Sequence, residues 1–196
     1  MQPLDVGEVT VCTVDAADQG DPASRYFVNI SSCGFSARVS RLVRSFKWMG
    51  SFGANVSEHS VWNTHRYRPG YTVAAALAFA GFRNSPAVVF VDGVPHSFGA
   101  MTMVAVANGR FFGGGMCIAA DADPADGQLT VVVLDGQSLI DFALKKHHFF
   151  NGTIATQPGV TVLHGRQVQV VPASTSKGAR ALLSTTRAFV HTAPTS

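Results

Sequence analysis

Hydrophobic and polar positions alternate along much of this chain, and the alternation predicts a mainly β fold. Residues 9–14 alternate and are followed by Asp, Gln, Gly and Pro, which is typical of a turn, and residues 25–31 have the composition of a partner strand. Further strands are predicted at residues 87–91, 100–107, 116–119, 129–134, 160–163 and 167–171, with a turn at Asp92-Gly93 and another short strand directly after it. Many short strands at near-regular spacing favour antiparallel sheets packed face to face.

Three segments have helical spacing instead. Residues 35–47 repeat apolar side chains every three or four positions, residues 71–82 contain the longest apolar run, and Ser138 is a candidate N-cap for residues 138–147. The expected fold class is therefore mainly β (α+β), a two-layer antiparallel β-sandwich with two or three helices. We expect this domain to cover residues 1–172, and we expect residues 173–196, rich in Ala, Ser, Thr and Arg, to form a flexible tail.

The stretch from residue 104 to residue 133 contains the most distinctive local pattern. Asn108-Gly109 between two apolar runs predicts a tight hairpin turn, because both residues tolerate positive φ. Three glycines at residues 113–115 suit a sharp bend or the close approach of another molecule to the backbone. This part of the chain therefore combines residues that favour turns with backbone that carries no side chains.

An acidic loop follows and ends in Asp126-Gly127. Asp121 and Asp123 precede Asp126 in the same loop. A carboxylate at a loop tip beside exposed backbone fits proton or phosphate chemistry. From the spacing alone, a β-hairpin with a solvated acidic turn is the alternative interpretation.

The order of these features resembles the C-terminal domain of the diacylglycerol kinase and sphingosine kinase superfamily. That pattern has an Asn-Gly turn, a Gly-Gly-Gly-Met run and then Asp-Gly-x-Leu before a strand, as in residues 108–133 here. Residues 27–37 resemble the superfamily's Phe-x-Asn-x-x-Ser-x-Gly-x-x-Ala segment, residues 4–7 resemble the start of its domain, and residues 149–160 resemble a later segment. The resemblance covers most of residues 1–172 and implies a β-sandwich capped by helices on one side.

The resemblance also implies roles for individual residues. Asp126 matches the aspartate that is implied to act as general base, taking the proton from a lipid hydroxyl as that hydroxyl attacks the γ-phosphate of ATP. The substrate implied is a lipid: diacylglycerol, a sphingoid base or ceramide. The implied substrate-binding positions are Asn29, Gly34, Asn108, Gly113, Gly114, Gly115 and Gly127.

The nucleotide-binding half of the superfamily pattern is not found in this sequence. A Gly-Gly-Asp-Gly-Thr signature, which supplies backbone N–H groups to phosphates, does not occur. ATP and Mg²⁺ are thus implied for the superfamily but not expected to bind this chain alone, and a missing N-terminal kinase domain is expected as a partner. Two alternatives stay open, a non-catalytic lipid-binding or regulatory module and an unrelated β-sandwich interaction domain.

Composition and charge fit a folded domain with a mildly basic surface. The chain of 196 residues is 46% hydrophobic and 14% charged, with a net charge of +3, which is far from a disordered profile. Arg38, Arg41, Arg44 and Lys47 recur along one helical face, which is either a solvated surface or a patch for anionic lipid headgroups. Peripheral membrane contact is therefore an expectation, whereas the sequence has no nucleic-acid-binding motif.

The cysteines and histidines indicate free thiols and no metal site. Three cysteines, Cys12, Cys33 and Cys117, are odd in number and widely spaced, which favours buried free thiols in a reducing, cytoplasmic setting. The first residues do not have the pattern of a signal peptide. The histidines lack the spacing of zinc ligands, so no metal site is predicted.

Overall fold

The computed structural model of the chain describes residues 4–13, 23–48, 77–79, 81–113, 115–172 and 182–190. Within these ranges the strands are β1 (Asp5–Thr13), β2 (Ala23–Phe27), β3 (Ile30–Gly34), β4 (Ser85–Val91), β5 (Val94–Ala107), β6 (Phe111–Phe112), β7 (Met116–Cys117), β8 (Leu129–Asp135), β9 (Val160–Gly165), β10 (Gln167–Pro172) and β11 (Leu182–Val190). The helices are α1 (Phe35–Trp48), α2 (Leu139–Leu144) and α3 (Lys146–Asn151), with a 3₁₀ turn at Ile154–Thr156. Residues 77–79 are also helical.

The strands form a β-sandwich in which β5 belongs to both layers. Hydrogen bonds connect the strands in the order β2-β1-β11-β10-β4-β5-β8-β9, and β3 pairs with the free side of β5. The first half of β5 pairs with β4, whereas its second half pairs with β8 and β3. All these pairs are antiparallel, so short connections suffice between several of them. The pair β6-β7 forms a small separate sheet.

Strand β5 supplies side chains to two separate hydrophobic cores. Val104 and Val106 enter a core between the layers, together with residues of β4, β8 and β10. Met103 and Ala105 point the other way, into a core under the helices. Met101 enters the same core as Val104 although the two are an odd number of positions apart, three, and the pairing of β5 with β8 shifts register between Met101 and Met103. A strand alternates faces every residue, so this bulge changes which face its side chains occupy.

Phenylalanines join the helices to the outer face of that layer. Three rings lie with centroids 3.9 to 5.4 Å apart, those of Phe35 in α1, of Phe79 in the helical residues 77–79 and of Phe142 in α2. Phe142 also stacks on Phe149 in α3 at 5.0 Å. Aromatic pairs at these separations add to the free energy gained by burial. The helices therefore cover one face of the sandwich, which leaves the strand ends open for a site.

The predicted β-sandwich with a few helices is confirmed, and several predicted elements match closely. The segment predicted as helix at residues 35–47 is α1, and Ser138 is the N-cap of α2, with Asp141 completing a capping box. The turn expected at Asp92-Gly93 joins β4 to β5 with φ of 48° and 84° at its two residues, as type I′ hairpin turns require. Of the helix predicted at residues 71–82, residues 71–76 and 80 lie outside the described residues.

Several predicted boundaries are wrong. Residues 25–31, predicted as one strand, contain the end of β2, a turn and the start of β3. Residues 94–107 form one strand rather than two pieces, because the bulge lets β5 continue from one layer into the other. The helix predicted at residues 138–147 is interrupted at Lys145, and a second helix follows. Residues 182–190, placed in a flexible tail, form β11 between β1 and β10. Its alternation was weak, and only pairing on both sides defines it as a strand.

The prediction of a hairpin turn at Asn108-Gly109 is also wrong. β5 ends at Ala107, and the two short strands that follow pair with each other rather than with β5. Neither residue of this dipeptide has positive φ. The N–H groups of Asn108 and Gly109 both donate to the carbonyl of Asn29, at 2.8 and 3.0 Å. A tertiary contact therefore takes the place of the local turn.

Truncating the core under the helices should lower stability much more than truncating their outer surface. Leu134 is fully buried in β8, whereas Leu144 in α2 is exposed. We expect Leu134→Ala to lower the free energy of unfolding by about 2–5 kcal/mol, because it leaves a cavity. The matched Leu144→Ala should change it by less than about 0.5 kcal/mol. Urea denaturation followed by circular dichroism measures both, and equal effects would contradict the assignment of the core.

Cys33 should be a poor nucleophile in the folded protein. Burial raises the pKa of the Cys33 thiol to about 11, although a hydrogen bond with the backbone of Val104 opposes the shift. Near pH 8 only about a thousandth of the thiol would be thiolate, the form that reacts with alkylating agents. Iodoacetamide followed by peptide mass spectrometry should therefore modify Cys33 rapidly only after denaturation. Rapid alkylation in the native state would contradict the raised pKa of this half-buried thiol.

Candidate functional site at the loop of residues 120–127

Four sequence-distant segments meet at one end of the sandwich. They are the start of β1, the turn between β2 and β3, the segment after β5 and the loop at residues 120–127 that leads into β8. Antiparallel pairing of β3 with β5 places Ile30 opposite Ala107, which brings the β2–β3 turn beside the end of β5. The sheet topology therefore assembles this end, because these segments lie far apart in the sequence.

Asp5 holds the end of the loop that carries Asp126. Its side chain is only 2% exposed, and its Oδ2 accepts a hydrogen bond from the N–H of Gly127 at 2.6 Å. The backbone N–H of Asp5 donates to the carbonyl of Pro124 at 2.7 Å. Hydrogen bonds to an ionised carboxylate are short and about twice as strong as neutral ones. The residue after Asp126 is thus fixed by a buried charged group.

The backbone conformation at residue 127 requires glycine. Its φ is +71°, a region that residues with a side chain rarely adopt. This conformation turns the chain at the end of the loop and leads into β8 two residues later. A glycine is therefore needed here whether or not a ligand approaches.

Arg110 holds the beginning of the same loop. Its Nε donates to the carbonyl of Ala122 at 3.0 Å, and its own carbonyl accepts from the N–H of Ile118 at 3.1 Å. The loop is thus fixed at both ends, by Arg110 from the segment after β5 and by Asp5 from β1. A loop restrained in this way can present a side chain in a defined position.

Asn108 connects three of the four segments. It is 1% exposed, and its Nδ2 donates to the carbonyls of Asp5 at 2.8 Å and Val28 at 3.0 Å. Because both partners are acceptors, the amide orientation is unambiguous. Its Oδ1 is buried without a hydrogen-bond partner among the described residues. Leaving such an acceptor unpaired costs about 1–3 kcal/mol, which the two donated bonds offset.

Asn29 lies beside Asn108 in the β2–β3 turn. Its Nδ2 donates to the carbonyl of Phe111 at 2.9 Å. A Cβ on Gly109 would lie 2.5 Å from Oδ1 of Asn29, so this position accommodates only glycine without a rearrangement. The Asn-Gly pair is thus explained by packing against the β2–β3 turn.

Asp126 itself is exposed at the surface of this end. Its Oδ1 accepts from the N–H of Gln128 at 2.8 Å, the local bond that aspartate often makes in turns. Asp123 is also exposed and makes the equivalent bond, from the N–H of Ala125 at 3.0 Å. The two carboxylates therefore differ mainly in position, since only Asp126 directly precedes the residue that Asp5 holds.

The structure brings some of the sequence-predicted site residues together and separates others. Asn29, Asn108, Asp126 and Gly127 lie at this end. Gly34 lies four residues along β3 from Ile30, about 13 Å at the usual rise per residue. There its φ is +83° and a Cβ would lie 2.6 Å from the carbonyl oxygen of Thr102, so it is needed at the change from strand to helix.

Gly113 and Gly115 lie between the two strands of the small β6–β7 hairpin, with φ of 54° and 95°. Gly114 lies outside the described residues. Two residues that hold the loop, Asp5 and Arg110, were not among the predicted site residues. Asp5 could have been found, because it belongs to the segment at residues 4–7 that resembles the start of the superfamily domain. Arg110 could have been found in the same way, because it directly follows Asn108-Gly109 in the segment at residues 108–133 that resembles the superfamily pattern.

A separate groove lies at the opposite end of β8. It has a volume of about 300 Å³ and is lined by Phe79, Phe82, Asn84, Gln137, Ser138 and Leu139.

Among the described residues, no three His, Cys, Asp or Glu side chains come close enough to hold a metal ion. In the same part of the chain, no helix combines the length and the apolar character that crossing a membrane requires.

The domain is a β-sandwich with helices on one face and a restrained loop at one end of the strands. The sequence identifies the family to which this domain belongs. Residues 29–183 match the family described as YegS C-terminal NAD kinase beta sandwich-like domain. The chain belongs to this family, and the resemblance to the C-terminal domain of diacylglycerol-kinase-like proteins is confirmed. No curated protein matches the chain in sequence.

Solved structures with the same fold come from Bacillus anthracis str. Sterne. One is a provisionally assigned diacylglycerol kinase with a TM-score of 0.55 and 14% identity, covering 96% of this chain and 55% of its own. Another, described as a diacylglycerol kinase, has a TM-score of 0.51 and 11% identity, covering 96% and 51%. At these identities the likeness establishes the fold, and the chain spans about half the length of these structures.

Removing the Asp5 carboxylate should loosen the loop. In Asp5→Ala the N–H of Gly127 loses its acceptor, so we expect a loss of about 1–3 kcal/mol in the free energy of unfolding. Amide exchange at Gly127, measured by NMR, should accelerate strongly. Asp5→Asn keeps an oxygen acceptor and should preserve most of the protection, and Glu8→Ala on the same strand is the control. Unchanged exchange at Gly127 in Asp5→Ala would contradict this role.

Proposed function

We propose that this chain is the lipid-substrate domain of a diacylglycerol/sphingosine-kinase-like protein, with ATP-dependent phosphorylation of a lipid hydroxyl as the ancestral reaction. Family membership supports the domain type. The observation that carries the proposal is the position of Asp126 on a loop that Asp5 and Arg110 fix from two different segments. A loop that served only as a solvated turn would not require a buried carboxylate to fix it.

In this proposal Asp126 is the general base. An exposed carboxylate on a fixed loop can accept the proton of a lipid hydroxyl while that oxygen attacks the γ-phosphorus of ATP and ADP leaves. Phosphoryl transfer depends mainly on positioning and charge stabilisation, and the exposed loop leaves the carboxylate accessible. Asn29, Asn108 and Gly127 support this loop and the neighbouring turn through the contacts described above. Their contribution is thus to the shape of the site.

Gly34 and the glycines at residues 113–115 have weaker support as substrate-binding positions. Gly34 is explained by its close approach to the backbone of Thr102. Gly113 and Gly115 are explained by the turn between β6 and β7. We therefore keep only the exposed β6–β7 turn as a candidate contact for a lipid headgroup, and we propose no such role for Gly34.

The proposal assigns ATP and Mg²⁺ to a separate nucleotide-binding domain, in the same polypeptide or in another. The described residues offer no acidic cluster for Mg²⁺, and the sequence lacks the glycine-rich signature that would hold the phosphates. The chain also spans only about half of the solved diacylglycerol kinases that share its fold. The residues described here would then supply the lipid side of the site and the base.

A non-catalytic lipid-binding or regulatory module is the second candidate. The observation that favours it is the absence of the Gly-Gly-Asp-Gly-Thr signature from this sequence. Such a module would keep the sandwich and its lipid contacts while Asp126 served only to cap its own turn, through the bond to Gln128. The two candidates differ in what substitution of Asp126 changes.

Complementation with a nucleotide-binding domain tests the proposed base. The purified chain is mixed with the N-terminal domain of one of the solved Bacillus diacylglycerol kinases, and phosphate transfer from ATP to diacylglycerol, sphingosine and ceramide is measured. We expect transfer that Asp126→Asn reduces by at least about a hundredfold, since general bases contribute on the order of 10²–10⁴. The chain alone should bind lipid without transferring phosphate.

Asp123→Asn is the matched control, because it removes an exposed carboxylate with the same local hydrogen bond from the same loop. It should leave transfer within about twofold of the unmodified chain, as surface changes away from reacting groups usually do. Equal losses in the two variants would show that Asp126 has no special role. Lipid binding without any transfer, even with the added domain, would favour the non-catalytic module.

A further inference from the structure

Helix α2 is almost entirely apolar, yet none of its residues is buried. Its sequence is Leu-Ile-Asp-Phe-Ala-Leu. Ile140 is 71% exposed and Leu144 is 77% exposed, and Leu139 is exposed as well. An amphipathic surface helix normally turns its apolar stripe inward and its polar residues outward. Here the outward face is the apolar one, which needs an explanation.

One side chain accounts for the attachment of this helix to the domain. Phe142 packs against Phe35, Phe79 and Phe149. Ile140 and Leu144, one helical turn apart, therefore lie on a face that the aromatic cluster does not cover. We call Leu139, Ile140 and Leu144 the α2 ridge. The ridge borders the groove at the end of β8, to which Leu139 contributes together with Phe79 and Phe82.

Basic residues flank the α2 ridge and the groove. The guanidinium of Arg38 in α1 lies against Gly81, since a Cβ there would be 2.6 Å from one of its nitrogens. Arg83 follows the groove residue Phe82 and is exposed, and Lys146 begins α3 directly after α2 and is exposed too. Arg38 lies in α1, Arg83 in the loop before β4 and Lys146 at the start of the helix after α2, and all three are exposed.

The one acidic residue of α2, Asp141, takes part in capping the helix. Asp141 accepts hydrogen bonds from the Oγ and the backbone N–H of Ser138, at 2.6 and 2.8 Å. Those bonds lower its pKa, with a smaller contribution from the charge of Lys145. Lys145 in turn donates to Gln137 and to the carbonyl of Pro158. The Asp141 carboxylate thus caps the helix next to the Lys145 cation. The exposed charged side chains named above, near the ridge, are basic.

We propose that the α2 ridge and its basic flank form a docking surface for an anionic lipid bilayer. Exposed apolar side chains can enter the acyl boundary, and each nearby basic residue adds up to about 1 kcal/mol of attraction to an anionic surface. The six-residue helix exposes three apolar side chains close to exposed cations, a combination that suits an anionic bilayer. The surface lies at the opposite end of β8 from Asp126 and does not depend on phosphoryl transfer.

Vesicle co-sedimentation tests this surface without using the proposed substrate site. The purified chain is mixed with phosphatidylcholine vesicles with or without phosphatidylglycerol, and no diacylglycerol, sphingosine or ceramide is present. We expect binding only to the anionic vesicles, weakened by added salt. Ile140→Gln with Leu144→Gln should lower the partition coefficient by about tenfold, because both apolar groups are lost. Glutamine preserves helix propensity, so circular dichroism should show an unchanged fold.

Matched controls separate this surface from general stickiness. Val94→Gln changes a side chain that is 57% exposed elsewhere on the molecule and should leave binding unchanged. Arg83→Gln with Lys146→Gln should weaken binding to anionic vesicles several-fold, whereas Arg25→Gln, an exposed cation in β2, should not. Equal binding by the ridge variant and the unmodified chain would overturn the proposal. A concentration-dependent dimer abolished by the ridge variant, without vesicle binding, would identify the ridge as a contact between copies instead.

Discussion

The structure depends on one long strand, β5, whose second half (residues 101–107) is buried on both faces. Its side chains alternate between the core within the sandwich and the core beneath the helices, and its bulge near Met101 lets it pass from one layer to the other. Because β4, β8 and β3 all pair with it, its path fixes both layers. The two ends of its second half also place the two surfaces of interest, the loop with Asp126 near Asn108 and the groove near Thr102.

The candidate site is built by side chains that hold backbone rather than by side chains that face a ligand. Asp5, Asn108 and Arg110 all donate to or accept from main-chain groups of neighbouring segments. Satisfying buried backbone groups in this way turns an irregular loop into a fixed one. Asp126 gains its defined position from that network, so the residues that matter for geometry outnumber the one assigned to chemistry.

The sequence predicted elements well where local chemistry decides the outcome. The N-cap at Ser138, the Asp92-Gly93 turn and the strand at residues 129–134 follow from the preferences of a few adjacent residues. It failed where distant partners decide. Asn108-Gly109 has the strongest local turn signal, yet the β2–β3 turn takes its N–H groups. β11 has little alternation and becomes a strand because β1 and β10 flank it.

The sequence by itself determined the fold class and the family resemblance, because both depend on the order of motifs and on local patterns. It also placed Asp126, Asn29 and Asn108 among the predicted site residues. Only the tertiary structure decided that Asp5 and Arg110 hold the loop, that Gly34 lies apart from it, and that α2 turns its apolar side outward. Those facts depend on strand order and on which face of each element is covered. Neither is encoded in the local pattern of hydrophobic and polar residues, because that pattern is the same whichever partner covers a face.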